Sequence, residues 1–369
     1  MKTMIMRVGV FMMKILYVPM KLLRVKNRIT FISRQSDKPS SDISMVAEQI
    51  KKMHPEIECR IMSRMLRATP AGLLSYLVHM LKQMHALSTS KVIVLDGYCI
   101  TACILEHKSE TSVVQMWHSL AAIKKFGYQT IDMPAGHSRQ VAETMHMHEN
   151  YDYILCPSRA TGRLFCRAMN SDEKKLVYLG LPRIDVIKRE DKVIADRIRK
   201  DYGLSTEKKI LLYAPTFRKG ETIHVEELAN AIDSGIYQLV VKLHPVYEDS
   251  GIIPKGVIQD RKYSSYEWFN VCDGVITDYS ALGVEATLTD KPVYFYLYDL
   301  KDYSNKVGIN VNPMEEMASV SATDAVTLAE IIEKQYDYVH MRKFREKYVS
   351  VDTNNCTEKL AGFIVSLSE

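Results

Sequence analysis

The sequence predicts an α/β protein made of two doubly wound domains. Three observations carry that prediction. Short runs that are β-branched and apolar throughout alternate with helical patterns, as expected of parallel strands buried on both faces. The alternation comes as two series, one on each side of a charged stretch around Arg183–Tyr202. A chain of 369 residues suits roughly two domains of ~150 residues each.

In the first series, Arg28–Ser33 reads as a strand, followed by a polar loop through Pro39 and a helix at Asp42–Met53. Glu58–Met62 is the next strand. Pro70–Leu87 is a helix opening on proline, which suits a first turn whose N–H has no partner anyway. Lys91–Leu95 ends at Asp96-Gly97, Ser112–Met116 at Trp117-His118, and Tyr153–Cys156 at Pro157-Ser158. Ser158 is placed to cap a helix through Ala168. Val177–Leu179 closes the series. A charged helix at Lys188–Tyr202 leads to Lys209–Ala214, Gln238–Leu243, Gly274–Thr277 and Pro292–Tyr296. The expected division is 1–26, an amphipathic membrane-associating segment; 27–186, an amino-terminal domain; and 187–369, a carboxy-terminal domain. A hinge is expected near Arg183–Arg189, with terminal helices after Ala325 able to cross back.

Composition narrows the function classes. A net charge of +5 is mildly basic and compatible with an anionic substrate or acidic lipids. No helix-turn-helix, zinc finger or RNA-stacking motif accompanies it, so nucleic acid is not the expected partner. The seven cysteines form no Cys-x-x-Cys and read as reduced, buried thiols, with Cys99 and Cys103 four apart on a helix. In Met1–Arg28 the residues Arg7, Lys14, Lys21, Arg24 and Arg28 recur at helical spacing among methionines and aliphatic residues. Such a helix lies in a membrane interface or packs on its own domain, and Pro19 would kink it or begin a second helix. No signal-peptide cleavage site follows.

The chemistry concentrates at strand ends, where α/β sheets bind ligands. His118 and His244 each follow an apolar run, and an imidazole titrating near neutral pH can take a proton from an attacking hydroxyl. Lys124-Lys125 is expected on a helix after His118. In the second half Thr216 and Arg218 follow one strand and Lys242 flanks His244. Ser280 is expected to cap a helix Ala281–Leu288, where Ala281 and Gly283 would allow backbone N–H groups to approach a phosphate. Each of these residues alone has an ordinary reading as a cap, surface lysine or salt bridge. Together they describe an anion pocket. The P-loop, Gly-x-Gly-x-x-Gly, His-Glu-x-x-His and Asp-x-Asp signatures are all lacking, so no metal or cofactor is expected. His146-x-His148 reads as a solvated helix end rather than a metal site.

The runs QMWHSLAAIKKFGY, GLPRID, YAPTFRKG, VVKLHP and VITDYSALGVEATLTDKPVYFY resemble the teichoic acid CDP-polyol phosphotransferases, which use CDP-glycerol or CDP-ribitol. RITFISRQSDKPSSD is similar too, so the likeness covers nearly everything after Lys26. It implies a GT-B fold, with two Rossmann-like domains around a cleft, no metal, and work at the inner face of the bacterial membrane. It implies that His118 and His244 are essential and that Arg183, Arg218, Ser280 and Glu285 occupy motif positions. Ser119 stands where the family commonly has glycine, and Leu120-Ala121-Ala122 replaces a Thr-Pro pair. Ala281 stands where a second serine is common.

The expected reaction is transfer of glycerol phosphate or ribitol phosphate to a hydroxyl of a lipid-linked acceptor, releasing CMP. His118 would be the base. His244, Thr216, Arg183, Arg218, Lys242 and the Ser280 turn would meet the diphosphate. Two alternatives stand beside it: a glycosyltransferase using a nucleotide sugar on the same fold, and a non-catalytic membrane-bound nucleotide-binding module.

Overall fold

The computed structural model describes residues 2–67, 69–216, 218, 223–243 and 253–369. The chain divides into two units. The first holds 1–120, 125–185 and 350–369; the second holds 121–124 and 186–349.

The first unit is built on six parallel strands: β1 (Lys26–Ser33), β2 (Glu58–Ser63), β3 (Ser90–Leu95), β4 (Ser112–Gln115), β5 (Tyr153–Cys156) and β6 (Leu176–Tyr178). Their order is β2-β1-β3-β4-β5-β6. The chain steps outward from β1 to β2, then returns to the other side of β1 at β3. The strand order therefore reverses between β1 and β3, the place where doubly wound sheets bind ligands at the carboxyl ends of their strands. Ile29, Phe31 and Ile32 of β1 and Val92–Leu95 of β3 lie in the core with almost no exposed surface, as their uniformly apolar sequences require.

Helix α2 (Ser41–Met53) shows why these segments fold locally. The Ser40 hydroxyl accepts from the Ile43 N–H, and Ile43, Val46, Ala47 and Ile50 recur at helical spacing on the buried face. The carboxy-terminal helix Cys356–Ser366 packs against α2. Asp185 fixes the start of that helix by accepting from the N–H groups of Cys356 and Thr357 and from the Thr357 hydroxyl. The helices Ala325–Ile332 and Tyr338–Tyr348 stay with the second unit.

The amino terminus departs from expectation in two ways. Helix α1 (Lys2–Met20) runs unbroken, with Pro19 in its last turn rather than at a kink; a missing N–H there costs a single bond near a fraying end. Arg28 is not on its basic face. It lies buried in β1, donating to the Thr89 hydroxyl and the Glu58 carboxylate. Residues 3–20 are long and apolar enough by composition to cross a membrane, yet Tyr17 is buried within the unit. Helix α1 lies beside α3 (Pro70–Thr89) and beside the helix Arg139–Thr144.

The second unit has β7 (Lys209–Tyr213), β8 (Tyr237–Val241), β9 (Ile258–Gln259), β10 (Gly274–Thr277), β11 (Val293–Tyr296) and β12 (Ser321–Ala322), all parallel, in the order β12-β11-β10-β7-β8-β9. Here the order reverses between β7 and β10. The two-residue edge strands β9 and β12 are too short to read from a pattern. The helix expected at Lys188–Tyr202 is two, Arg183–Lys188 and Lys192–Tyr202, because Asp191 caps the second by accepting from the Ile194 N–H. The helix Arg183–Lys188 spans the stretch read as a hinge.

Ala121–Lys124 belongs with the second unit and is not helical. Lys124 forms an antiparallel bridge with Ile309, and Asn310 donates its N–H to the Ile123 carbonyl at 2.7 Å. The helix expected around Lys124-Lys125 is therefore replaced by an extended segment held through long-range pairing.

Candidate active site

In the first unit the strand ends at the reversal point bring Ser33, Asp96-Gly97 and His118 together. His118 Nδ1 lies 2.8 Å from the Asp96 carbonyl oxygen. A carbonyl can only accept, so Nδ1 carries the hydrogen and, in the neutral ring, the lone pair sits on Nε2. The Gln35 side-chain amide stands 3.3 Å from the same Nδ1. His118 and Ser119 are both half-buried, on a loop rather than a helix.

The residue before this histidine is strained. Trp117 adopts φ 60°, the left-handed region that bulky residues avoid. An aromatic cluster holds it there: its indole stacks on Phe126 at 4.4 Å, lies tilted against the His118 ring at 4.3 Å, and meets His148 edge-on at 6.0 Å. Gly127, at φ 57°, makes the return possible, since a Cβ there would lie 2.2 Å from the Ala168 carbonyl. His148 is buried, with Nδ1 3.0 Å from the Tyr151 hydroxyl. Burial, assisted by the neighbouring His118, pulls its pKa down to about 3 and keeps it neutral. It is not the solvated helix end expected from sequence.

Asp96 offers more than its carbonyl. The residue is 1% exposed, and beyond the neighbouring Ser33 hydroxyl its carboxylate oxygens meet no hydrogen-bond partner among the described residues. Burial raises its pKa to about 6; the Ser33 hydroxyl and Arg183 oppose the rise, and the Asp42 carboxylate adds to it.

Arg183 lies in the same unit, turned away from solvent. Its guanidinium binds the buried Asp42 of α2, with Nη2 2.5 Å and Nε 2.9 Å from Oδ2, while its backbone N–H donates to Oδ1.

In the second unit the ends of β7 and β10 bring Thr216, Arg218, Asp278 and Ser280 together. The Thr277 hydroxyl donates to the Ala214 carbonyl and locks the two strand ends. Asp278, fully buried, accepts from the Thr216 N–H and hydroxyl and from Arg218 Nη1 at 2.6 Å. Arg218 is itself buried and also binds Asp299. The rings of Tyr298, Tyr303 and Tyr279 lie 4.8, 5.3 and 5.6 Å from its guanidinium carbon. Burial alone would lower its pKa; Asp299 and Asp278 more than offset that, so it stays charged.

Lys242, at the end of β8, pairs at 2.8 Å with Asp260, which has no exposed surface. Glu285 is buried and accepts from the Tyr266 hydroxyl at 2.9 Å. All three cations nominated for a diphosphate within the described residues thus face a buried acid: Asp42, Asp278 (with the partly buried Asp299), and Asp260. Sequence reasoning missed these acids as partners. The one visible signal was Asp278, in the Asp-Tyr-Ser run at a strand end.

The turn at Ser280 also differs from expectation. The helix is Leu282–Ala286, only five residues, followed by a 3₁₀ turn at Thr287–Thr289. Ala281 occupies its cap position with helical dihedrals, while the Ser280 hydroxyl accepts from the Leu282 N–H at 3.3 Å. Gly283 serves packing: a Cβ there would lie 2.6 Å from the Phe295 ring. His244 lies outside the described residues. No cluster of three metal-ligating side chains occurs among the described residues.

Residues 16–366 match the family model for CDP-glycerol:poly(glycerophosphate) glycerophosphotransferase. The teichoic acid ribitol-phosphate primase of Bacillus spizizenii is 29% identical over 360 residues, covering 92% of this chain and 91% of that protein. The teichoic acid glycerol-phosphate primase of Bacillus subtilis is 28% identical over 300 residues, covering 79% and 77%. The solved structure of the wall teichoic acid polymerase TagF superposes with a TM-score of 0.75 at 19% identity, covering 100% of this chain and 97% of that one. The fold is accordingly the GT-B type anticipated above, with two Rossmann-like domains. The match over residues 16–366 shows that the chain belongs to the CDP-glycerol:poly(glycerophosphate) glycerophosphotransferase family.

Proposed function

We propose that the protein transfers glycerol phosphate or ribitol phosphate from the CDP-polyol to a hydroxyl of a lipid-linked teichoic acid acceptor, with His118 as general base. The observation carrying this reading is the 2.8 Å contact from His118 Nδ1 to the Asp96 carbonyl, which directs the ring's lone pair to Nε2. The acceptor hydroxyl gives its proton to Nε2 as its oxygen bonds to the β-phosphorus. The bond from that phosphorus to the bridging oxygen breaks, and CMP leaves with the electron pair. Phosphoryl transfer depends on positioning and electrostatics more than on covalent help from the protein.

Thr216, Arg218 and Asp278 form a rigid floor at the reversal point of the second sheet. The pairing of Arg218 with two acids favours a supporting role, in which it orders Asp278 and Thr216 beneath the diphosphate. Direct neutralisation then falls to His244 and the Ser280-Ala281 turn, with Lys242, paired with Asp260, in a supporting role like that of Arg218. Arg183 and Glu285 act as braces through Asp42 and Tyr266.

The enzyme works at the cytoplasmic face of the membrane, docked through α1 and α3. Phe11, Met12, Ile15 and Val18 of α1 and Leu74 and Leu77 of α3 are exposed apolar side chains on neighbouring helices. Arg7, Lys14 and Arg24 add positive charge for anionic headgroups.

The test offers CDP-glycerol, CDP-ribitol and a UDP-sugar in parallel with a lipid-linked acceptor, reading nucleotide release and product mass. CMP release with a mass gain of one polyol phosphate supports the assignment. Turnover only with the UDP-sugar would replace it by glycosyl transfer.

A further inference from the structure

We propose that Gln115 is a positioning residue for His118, acting on the imidazole through the two backbone segments that hold it. Gln115 is the last residue of β4 and has no exposed surface. Its side-chain N–H donates to the Gly97 carbonyl at 3.0 Å, and its side-chain oxygen accepts from the Trp117 N–H at 2.9 Å. One amide thus ties the turn after β3 to the loop after β4.

Those segments are the ones that aim the base. The turn after β3 supplies the Asp96 carbonyl that receives His118 Nδ1–H, and a Cβ on Gly97 would lie 3.9 Å from that same Nδ1. The loop after β4 supplies His118 itself, directly after a tryptophan at φ 60°. A left-handed tryptophan persists only where its surroundings over-determine it. The Gln115 oxygen, bound to the Trp117 N–H, is a polar constraint acting on that residue. Without the amide, Trp117 can relax toward extended backbone. His118 then moves relative to the Asp96 carbonyl, and Nε2 no longer points where the acceptor proton lies. A misplacement of ~1 Å near the chemistry costs about 10²-fold in rate.

This inference rests on the reading of His118 as the base, and the experiment separates the two. Gln115→Met keeps the volume and removes both hydrogen bonds. CMP release from radiolabelled CDP-polyol is measured for wild type, Q115M, H118A and Q115M/H118A. The expected result is a fall in kcat of about 10²-fold for Q115M with KM for the CDP-polyol little changed, and no additional loss when Q115M is added to H118A. An unchanged kcat, a rise in KM that accounts for the loss, or an equal loss in both backgrounds would overturn the proposal. If Q115M does not fold, Gln115→Glu keeps the acceptor for Trp117 and loses the donor to Gly97. It is read by the same split between kcat and KM and by the same cycle. Normal turnover by H118A would instead remove the base assignment, whereas inactive H118A beside fully active Q115M would remove only the role of Gln115.

Discussion

Arg218 and Asp299 meet as a two-pronged pair, Nε to Oδ2 at 2.5 Å and Nη2 to Oδ1 at 3.0 Å, while the remaining prong of the guanidinium binds Asp278. This planar fork, buried under three tyrosine rings, joins the strand end that carries Thr216 to the one that carries Ser280. Lysine offers a point charge in place of the fork. Arg218→Lys should therefore lower stability by about 3 kcal/mol, near the lower end of what breaking a buried pair costs, even though the charge is kept. Denaturant melts check this. An unchanged midpoint would mean that the arginine serves the ligand rather than the fold.

Asp96 combines two functions that one substitution separates. Asp96→Asn keeps the backbone carbonyl that holds His118 and removes the buried charge. The carboxyl's pKa in the fold is raised to about 6, so wild type gains stability from the protonated form at low pH and loses it as pH rises through that value. Asp96→Asn should be the more stable protein at pH 8 by about 2–3 kcal/mol, with the gap closing toward pH 4. Melts at several pH values measure it. A gap independent of pH would contradict the burial argument.

His148 has the opposite sign. Its pKa in the fold is depressed to about 3, so unfolding takes up a proton below about pH 6.5, and stability falls as pH drops toward 3. The slope is about 1.4 kcal/mol per pH unit, largely cancelled between pH 4 and 6 by the opposite slope of Asp96, so it shows as a difference between wild type and variant. His148→Phe, which fits the aromatic cluster, should remove that slope. An identical acid profile in wild type and variant would show that His148 is not the group responsible.

Membrane docking is tested on the exposed face of α1 and α3. Phe11→Glu and Leu74→Glu should each reduce co-sedimentation with vesicles containing anionic lipid by about tenfold, the scale of losing one buried large side chain. Secondary structure should not change, since both side chains are exposed. Undiminished binding by the double variant would place the membrane contact elsewhere.

Much of this molecule was legible in the sequence. The parallel strands were, because burial on both faces makes Phe31-Ile32 and Val92–Leu95 apolar without interruption. What was not legible depends on partners distant in the chain. Lys124 reads as helical until Ile309 pairs with it. Arg183 reads as a phosphate ligand until Asp42, 141 positions earlier, occupies its guanidinium. A strand-end cation looks the same in sequence whether it faces a phosphate or a buried carboxylate. His118 could be nominated, but the atom that orients it is a backbone carbonyl, and no residue pattern encodes that.

We propose that His118, held by the Asp96 carbonyl, removes the acceptor proton. The direct measurement is CMP release by His118→Ala with CDP-glycerol and CDP-ribitol, alongside calorimetric binding of both donors. If His118 is the base, turnover falls by about 10²–10⁴-fold with donor affinity retained. Turnover within a few-fold of wild type, or loss of donor binding matching the loss of rate, would contradict it.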